Sequence, residues 1–338
     1  MALFDSLNQL NTERRRTNRR RFLFGGIAAV FAYFGFRWWR FRARPVVNRI
    51  TNFITPNREF YAVSIDEAFR PNLKQEDWRL EVIGSNSFAL SYDELQKLPQ
   101  QNVHKTFICV GNEPGGPATG NAVWTATALA PILEKALGTM PRENLRVVFH
   151  ALDGFYSSVA LELALSPLTW IAYRMNGEPL PLNHGFPARV LLPGIYGMKQ
   201  PRWLSKIEIV KTPWFKGYWE SRGYCDECKI KMTARIDSAR PQNEGTWLVT
   251  GVALCGAETV GKVEVSFDDG NTWQEAIITS DKLPDAWVTW QIAWKPEHKG
   301  EHVLCARVVD AVGNRQIERN NPSFPSGSTG LHRAIVTV

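Results

Sequence analysis

A thiol at the end of an apolar strand, directly under a loop of glycine, proline and asparagine, is the feature of this sequence best placed to do chemistry. Thr106 to Val110 reads as a buried strand that carries Cys109 and breaks at once into Gly111-Asn112-Glu113-Pro114-Gly115-Gly116. Glycines let backbone approach a bound group closely, so such a loop can bring a ligand against the sulfur. A lone cysteine after an apolar strand is more often a small buried hydrophobe, and context must carry any other assignment. The remaining cysteines offer no rival centre. Cys225-Asp226-Glu227-Cys228 is followed by Lys229 instead of histidine, which excludes c-type haem attachment, and no second pair completes a zinc ribbon. Cys255 and Cys305 sit late in two strand-like runs; their separation suits a bridge between sheets, although two buried thiols are the commoner outcome. No G-x-G-x-x-G or Walker pattern occurs, so nucleotide binding has no support.

Three separated stretches, in order, supply the context. The Cys-x-x-Asn element from Cys109 to Asn112 resembles the metal-thiolate loop of the sulfite-oxidase-type molybdenum oxidoreductases. Tyr173 to Pro181, continuing through His184-Gly185-Phe186-Pro187 to Arg189, is similar to that family's pterin-binding run, and so are Pro193 to Lys199 and Trp203-Leu204. The resemblance implies a molybdenum–molybdopterin cofactor with Cys109 as the thiolate ligand, since a metal deprotonates a soft cysteine sulfur on binding. It makes His184 and Arg189 contacts of the pterin and its phosphate, because a guanidinium forks onto phosphate oxygens and an imidazole can donate to them. Gly197, Lys199 and Arg202 fall where further cofactor contacts belong, with Arg202 replacing a usual lysine, and Asn112 would orient the loop.

Departures from the family pattern bear on substrate. The Arg-Asn pair that binds sulfite in the sulfite oxidases corresponds to Val63 and Ser64, and the arginine after the Cys-x-x-Asn element corresponds to Glu113. The active-site tyrosine position is Phe155, with Tyr156 beside it as the catalytic candidate. Exchanging attraction for repulsion at about 4 Å from an anion is worth several kcal/mol even at an effective dielectric near 20. The expected reaction is therefore two-electron oxo transfer on a small sulfur- or nitrogen-oxide substrate of low charge. Sulfite oxidation proper is the alternative, and a non-catalytic partner-binding module is the alternative of another class. Electrons would pass to or from a separate c-type cytochrome or membrane haem or quinone partner, because the sequence carries no haem motif.

Around these residues the periodicity predicts short strands and helices without a βαβ rhythm through residue 230. Arg79–Val82, Ser87–Leu90, 105–110, Leu145–Phe149, Ala188–Leu192 and Lys206–Val210 read as strands. Ser91 caps a short helix, and a second helix after Trp124, capped by Thr125 or Thr127, carries Leu129, Ile132, Leu133 and Leu137 at helical spacing, with Pro131 in its first turn. From residue 231 short alternating runs follow one another, with a tight-turn signal at Asp268-Asp269-Gly270-Asn271. The expected fold is an α+β cofactor domain of the sulfite oxidase type (50–230) followed by an all-β immunoglobulin-like sandwich (231–338), which resembles the family's dimerisation domain and so implies a homodimer.

Composition separates the N-terminal segment, residues 1–49, from the rest. At 338 residues and 44% apolar the chain is no disordered protein. Its net charge of +7 is an N-terminal property, because residues 1–49 hold 11 arginines against Asp5 and Glu13 while the remainder is slightly acidic. That distribution argues against nucleic acid as a partner. Phe22 to Phe36 lacks charge but is short for a spanning helix of about 20 residues. Asn18-Arg19-Arg20-Arg21-Phe22-Leu23 resembles a twin-arginine export signal, and no small-x-small cleavage site follows. The expectation is a retained membrane anchor with the folded part facing the periplasm; Arg37, Arg40, Arg42 and Arg44 beyond the apolar run oppose that orientation.

Overall fold

The structure, a computed structural model, describes residues 43–46, 48–49 and 52–338. The signal or anchor expected at the N-terminus lies outside the described residues, among which no helix is long and apolar enough to cross a membrane. In chain order the first domain runs β1 (Arg79–Ile83), β2 (Phe88–Ser91), α1 (Tyr92–Lys97), β3 (Gln100–Ile108), β4 (Thr119–Ala128), α2 (Leu129–Leu137), β5 (Leu145–Ala151), β6 (Tyr156–Ala160), α3 (Leu161–Ala164), β7 (Trp170–Met175), β8 (Arg189–Leu191) and β9 (Leu204–Lys211). One sheet has the order β2-β1-β9-β5-β6, in which only β1 and β9 run parallel; the other has the order β8-β7-β4-β3. This is the mixed, α+β arrangement that the lack of a βαβ rhythm implies.

Local chemistry sets the element ends. Ser91 closes a capping box at α1: its hydroxyl accepts the Glu94 N–H at 3.2 Å, and the Glu94 carboxylate accepts the Ser91 N–H at 2.8 Å. In β1 the alternation turns Leu80 and Val82 inward, against Leu129, Ile132, Leu133 and Leu137 of α2. The expected start of α2 is corrected. Residues 119–128 form a ten-residue strand, and the helix begins after Ala128 with no side-chain cap bond. Thr125 and Thr127 are strand residues whose hydroxyls donate to Asn102 Oδ1 and Pro99 O. Their β-branched side chains and cross-strand partners outweigh their value as caps.

The second domain comprises β10 (Thr233–Pro241), β11 (Trp247–Leu254), β12 (Val260–Ser266), β13 (Gln274–Ile278), β14 (Val288–Trp294), β15 (Glu301–Asp310) and β16 (His332–Thr337), ordered β16-β15-β12-β13-β14-β11-β10. Strand β13 switches leaves: Gln274–Ala276 pair with β12, whereas Ile277 and Ile278 pair with β14. That switch folds the sheet into two leaves around a core that includes Val249, Val263, Trp290 and Leu304. Cys255 and Cys305 are free and buried, while Cys225 and Cys228 are bridged.

The domains share a core. Ile108 and Val110 pack with Val252, Leu254 and Trp287 of the sandwich. At the centre of this junction Lys105 of β3 donates to the Asp285 carboxylate and, at 2.7 Å, to Leu192 O. Asp285 also accepts the Gly194 N–H at 2.9 Å, its carbonyl accepts the Thr106 N–H at 2.8 Å, and the Trp287 N–H bonds Thr106 Oγ1 at 2.8 Å. Both charged side chains are almost wholly enclosed. Removing one partner of a buried pair strands the other charge, so Lys105→Met is expected to lower stability by about 3–5 kcal/mol. Thermal unfolding of the purified variant checks this; an unchanged midpoint would contradict it.

Candidate functional site

Strand β3 delivers Cys109 to a cavity of ≈ 210 Å³, which Val110 and Gly111 of the following loop also line. The loop is fixed from both sides. The Asn112 N–H bonds Cys109 O at 2.9 Å, and Asn112 Oδ1 accepts the Ala118 N–H at 2.9 Å. From the second domain Ser328 Oγ donates to Asn112 O at 2.7 Å and Arg235 donates to Gly116 O at 3.1 Å. A side chain on Gly115, which has φ +80°, would drive into His332. Asn112 thus holds the loop without lining the cavity. The Cys109 thiol is partly buried; burial pushes its pKa up, and the Gly111 N–H pulls against that shift.

Arg189 lines the same cavity. It is 5% exposed, and its guanidinium lies over Phe107 at 4.2 Å and Trp124 at 5.2 Å. Nη1 donates to His184 O at 3.0 Å, whereas Nε is buried without a partner. No carboxylate pairs with it among the described residues. Burial, reinforced by Arg202, lowers its pKa to about 9. His184 Nε2 donates to Asn57 O at 2.9 Å, and burial holds its pKa down at about 4, so the ring is neutral at ordinary pH. Arg202, at the same cavity, donates to Val63 O at 2.9 Å and to Asn183 O. The backbone of Gly197 forms wall, and a Cβ there would lie 2.7 Å from the Tyr61 hydroxyl.

Several sequence expectations need relocating. Lys199 is fully buried but points away from the cavity, paired with Glu220 and lying 3.7 Å from Asp226. A carboxylate in the core satisfies its charge, so it does not serve as a free cofactor contact. Tyr156 is also absent from the wall; it packs near His150 and Phe215, and Phe155, in the turn just before β6, lines the cavity instead. Glu113 does not line the cavity, whereas Val63 and Ser64 do. The wall's carboxylate is Asp153, whose pKa burial raises and whose charge faces Arg202. Tyr61 lines the cavity as well. Its adjacency to the buried Phe60 in an aromatic pair was the sequence signal available for it.

A soft thiol, two guanidiniums, a neutral imidazole and a side-chain-free backbone wall form a donor set that fits an anionic metallocofactor. The orphaned Arg189 Nε is the sharpest part of that fit, because a buried cation needs an anion. Comparison with known proteins agrees. The family model "Oxidoreductase molybdopterin binding domain" matches residues 67–219, and "Mo-co oxidoreductase dimerisation domain" matches residues 227–323. Mitochondrial sulfite oxidase of Rattus norvegicus is 29% identical over 325 residues, covering 80% of this chain and 59% of the relative. Sulfite oxidase of Gallus gallus is 29% identical over 349 residues, covering 87% and 75%. Inducible nitrate reductase [NADH] 2 of Glycine max is 26% identical over 82% of this chain and 39% of its own length. The chain thus spans about 59% of the length of the rat relative. The sulfane dehydrogenase SoxCD from Paracoccus pantotrophus shares the fold, with a TM-score of 0.73 at 20% identity over 86% of this chain and 85% of that one.

The matched domains are those of a molybdopterin-dependent oxidoreductase. The chain belongs to the sulfite-oxidase-type family of these enzymes, with molybdenum–molybdopterin as its cofactor.

The enclosed charge of Arg189 yields a test that separates cofactor from fold. Arg189→Met keeps volume and removes a cation that lacks a counter-charge, so the apoprotein is expected to be no less stable than its parent. The same variant, produced in cells that make the cofactor, should purify with markedly less molybdenum. Thermal unfolding and elemental analysis check the two halves; full loading would place the anion elsewhere.

Proposed function

We propose that the protein performs two-electron oxo transfer on a small sulfur- or nitrogen-oxide substrate, exchanging electrons singly with a separate redox protein or membrane quinone. The observation that carries the reading is the shared cavity of Cys109 and buried Arg189, whose Nε has no partner among the described residues. The bound cofactor supplies the metal that accepts and returns an oxygen atom and two electrons. This chain's residues do the rest. Cys109 supplies the thiolate. Arg189, and Arg202 beside it, balance the anionic charge of pterin phosphate, and neutral His184 holds its ring through the Asn57 carbonyl. Phe155, Phe107 and Trp219 keep part of the wall apolar and limit water.

Sulfite is the second reading, and a specific observation favours it. The repulsion expected from Glu113 has no place at the wall, while Arg202 is there, and the sulfite oxidases among the relatives act on that oxyanion by name. Asp153 and the apolar Val63 work in the opposite direction. An anchored, periplasm-facing placement and a homodimer through the second domain complete the proposal.

Native protein is expected to contain about one molybdenum per chain, and Cys109→Ser should abolish turnover while leaving the unfolding midpoint nearly unchanged, since sulfur-for-oxygen exchange alters little volume. An active Cys109→Ser variant would overturn the assignment. Steady-state assays with sulfite and a one-electron acceptor, and with dimethyl sulfoxide and a reduced viologen, separate the two substrate readings. Turnover of the sulfoxide with weak sulfite activity supports the first; efficient sulfite oxidation at micromolar concentration replaces it with the second.

A further inference from the structure

Cys225 and Cys228, which the chemistry of the cavity does not use, are bridged beside its wall. Only Asp226 and Glu227 lie between them. So short a loop constrains the unfolded chain little, which leaves global stability as a weak reason for the bridge. Its neighbours supply a stronger one. Cys228 O accepts the Tyr196 N–H at 3.0 Å, and Cys228 Sγ lies 3.7 Å from Met198 Sδ; Gly197 and Met198 both line the cavity. Tyr224, directly before Cys225, lines it too, while the Cys225 N–H bonds Pro325 O at 3.2 Å. Between the cysteines, the Asp226 carboxylate accepts from Arg146 Nη2 at 2.6 Å and Nη1 at 3.0 Å. The bridge thus joins two stretches of wall that are distant in sequence. Cys228 has φ +45°, a left-handed conformation that crowds a side chain's Cβ, and the bond to Cys225 helps to hold it there.

We propose that Cys225 and Cys228 are a reversible thiol–disulfide site, opened by a dithiol reductant, whose bridged form sets the cavity wall for substrate. The inference adds regulation to the oxo-transfer site proposed above and rests on that reading for its kinetic half. Cys225 is half-buried and Cys228 is 2% exposed, so a thiolate of the reductant attacks the Cys225 sulfur, and Cys228 leaves as a thiolate that takes up a proton. The reductant's second thiol then attacks the reductant's own sulfur in the mixed disulfide and releases Cys225 as a thiol. Two electrons and two protons pass to the protein, and the reductant departs as a disulfide. With the bridge open, Cys228 is free to leave the left-handed region, and Tyr196 loses the carbonyl that fixes its N–H. Cys109, Arg189 and His184 stand on other elements, so the wall changes while the groups that hold the cofactor stay in place.

The test uses full-length, cofactor-loaded protein with dithiothreitol as the reductant, and molybdenum is measured before and after. Alkylation followed by mass mapping should find Cys225 and Cys228 newly labelled while the protein stays folded. Hydrogen exchange at the Tyr196 amide should quicken by about tenfold or more, and KM for sulfite or dimethyl sulfoxide, whichever the parent turns over, should rise by a similar factor with a smaller change in kcat. Molybdenum content should hold constant, and reoxidation should restore both exchange and KM. Cys225→Ser combined with Cys228→Ser should resemble the reduced parent and ignore the reductant, which separates the bridge from any action of the thiol on the metal; where that variant does not fold, the reversible change in the parent decides alone. A parent without molybdenum or turnover sinks the oxo-transfer reading, and the exchange measurement still judges the bridge. A bridge that resists the reductant in the folded protein, or one that opens with unchanged exchange and KM, would overturn the proposal. Loss of molybdenum on opening would overturn it too, by showing that the bridge holds the cofactor instead of the substrate wall.

Discussion

An enclosed guanidinium without a carboxylate is the constraint on which the rest of this structure turns. Arg189 rests on the faces of Phe107 and Trp124, which soften but do not answer a full positive charge. Elsewhere in the described protein buried cations are answered from within the chain: Lys105 by Asp285, Lys199 by Glu220, Arg235 by Asp237. The exception therefore marks where an external anion belongs. The anion's place also explains the surroundings, since a neutral His184, a thiol and glycine backbone add no negative charge, and the wall's one carboxylate, Asp153, faces Arg202.

The second domain is part of that site, even though the cavity lies in the first. Strand β3 carries Lys105 and Thr106 into the junction and Cys109 to the cavity a few residues later, so any shift of the junction moves the sulfur. Ser328, Arg235 and His332 then press the loop from outside. Misplacing a ligand sulfur by a small distance is costly to a metal centre, and locking it from two domains limits that movement.

What local pattern encodes is legible in the sequence. The strand before Cys109, the Ser91 capping box, the amphipathic face of α2 and the alternating runs of the sandwich each depend on neighbours a few residues apart. The cofactor loop and the run from His184 to Arg189 were legible because glycine, proline and a fixed order mark them. Failures came where distant residues decide the outcome. Lys199 falls in the cofactor-binding run, yet Glu220, 21 residues away, holds its charge. Tyr156 opens strand β6 while Phe155 sits in the turn before it, and only the fold tells which of the two faces the cavity. Glu113 lies next to the right motif but off the wall, whereas Asp153 and Tyr61 arrive from other elements altogether. The strand at residues 119–128 was hidden because glycine, asparagine and alanine make it weak in strand propensity, while Arg174, Met175 and other partners across the sheet supply its stability.

The most direct measurement is a crystal structure of the cofactor-loaded chain at a resolution that shows individual ligand atoms. The account predicts an anionic oxygen of the cofactor within hydrogen-bonding distance of Arg189 Nε, Cys109 sulfur on the metal, and Lys199 still paired with Glu220. A cofactor phosphate bound away from Arg189, with Nε still lacking a partner, would contradict it.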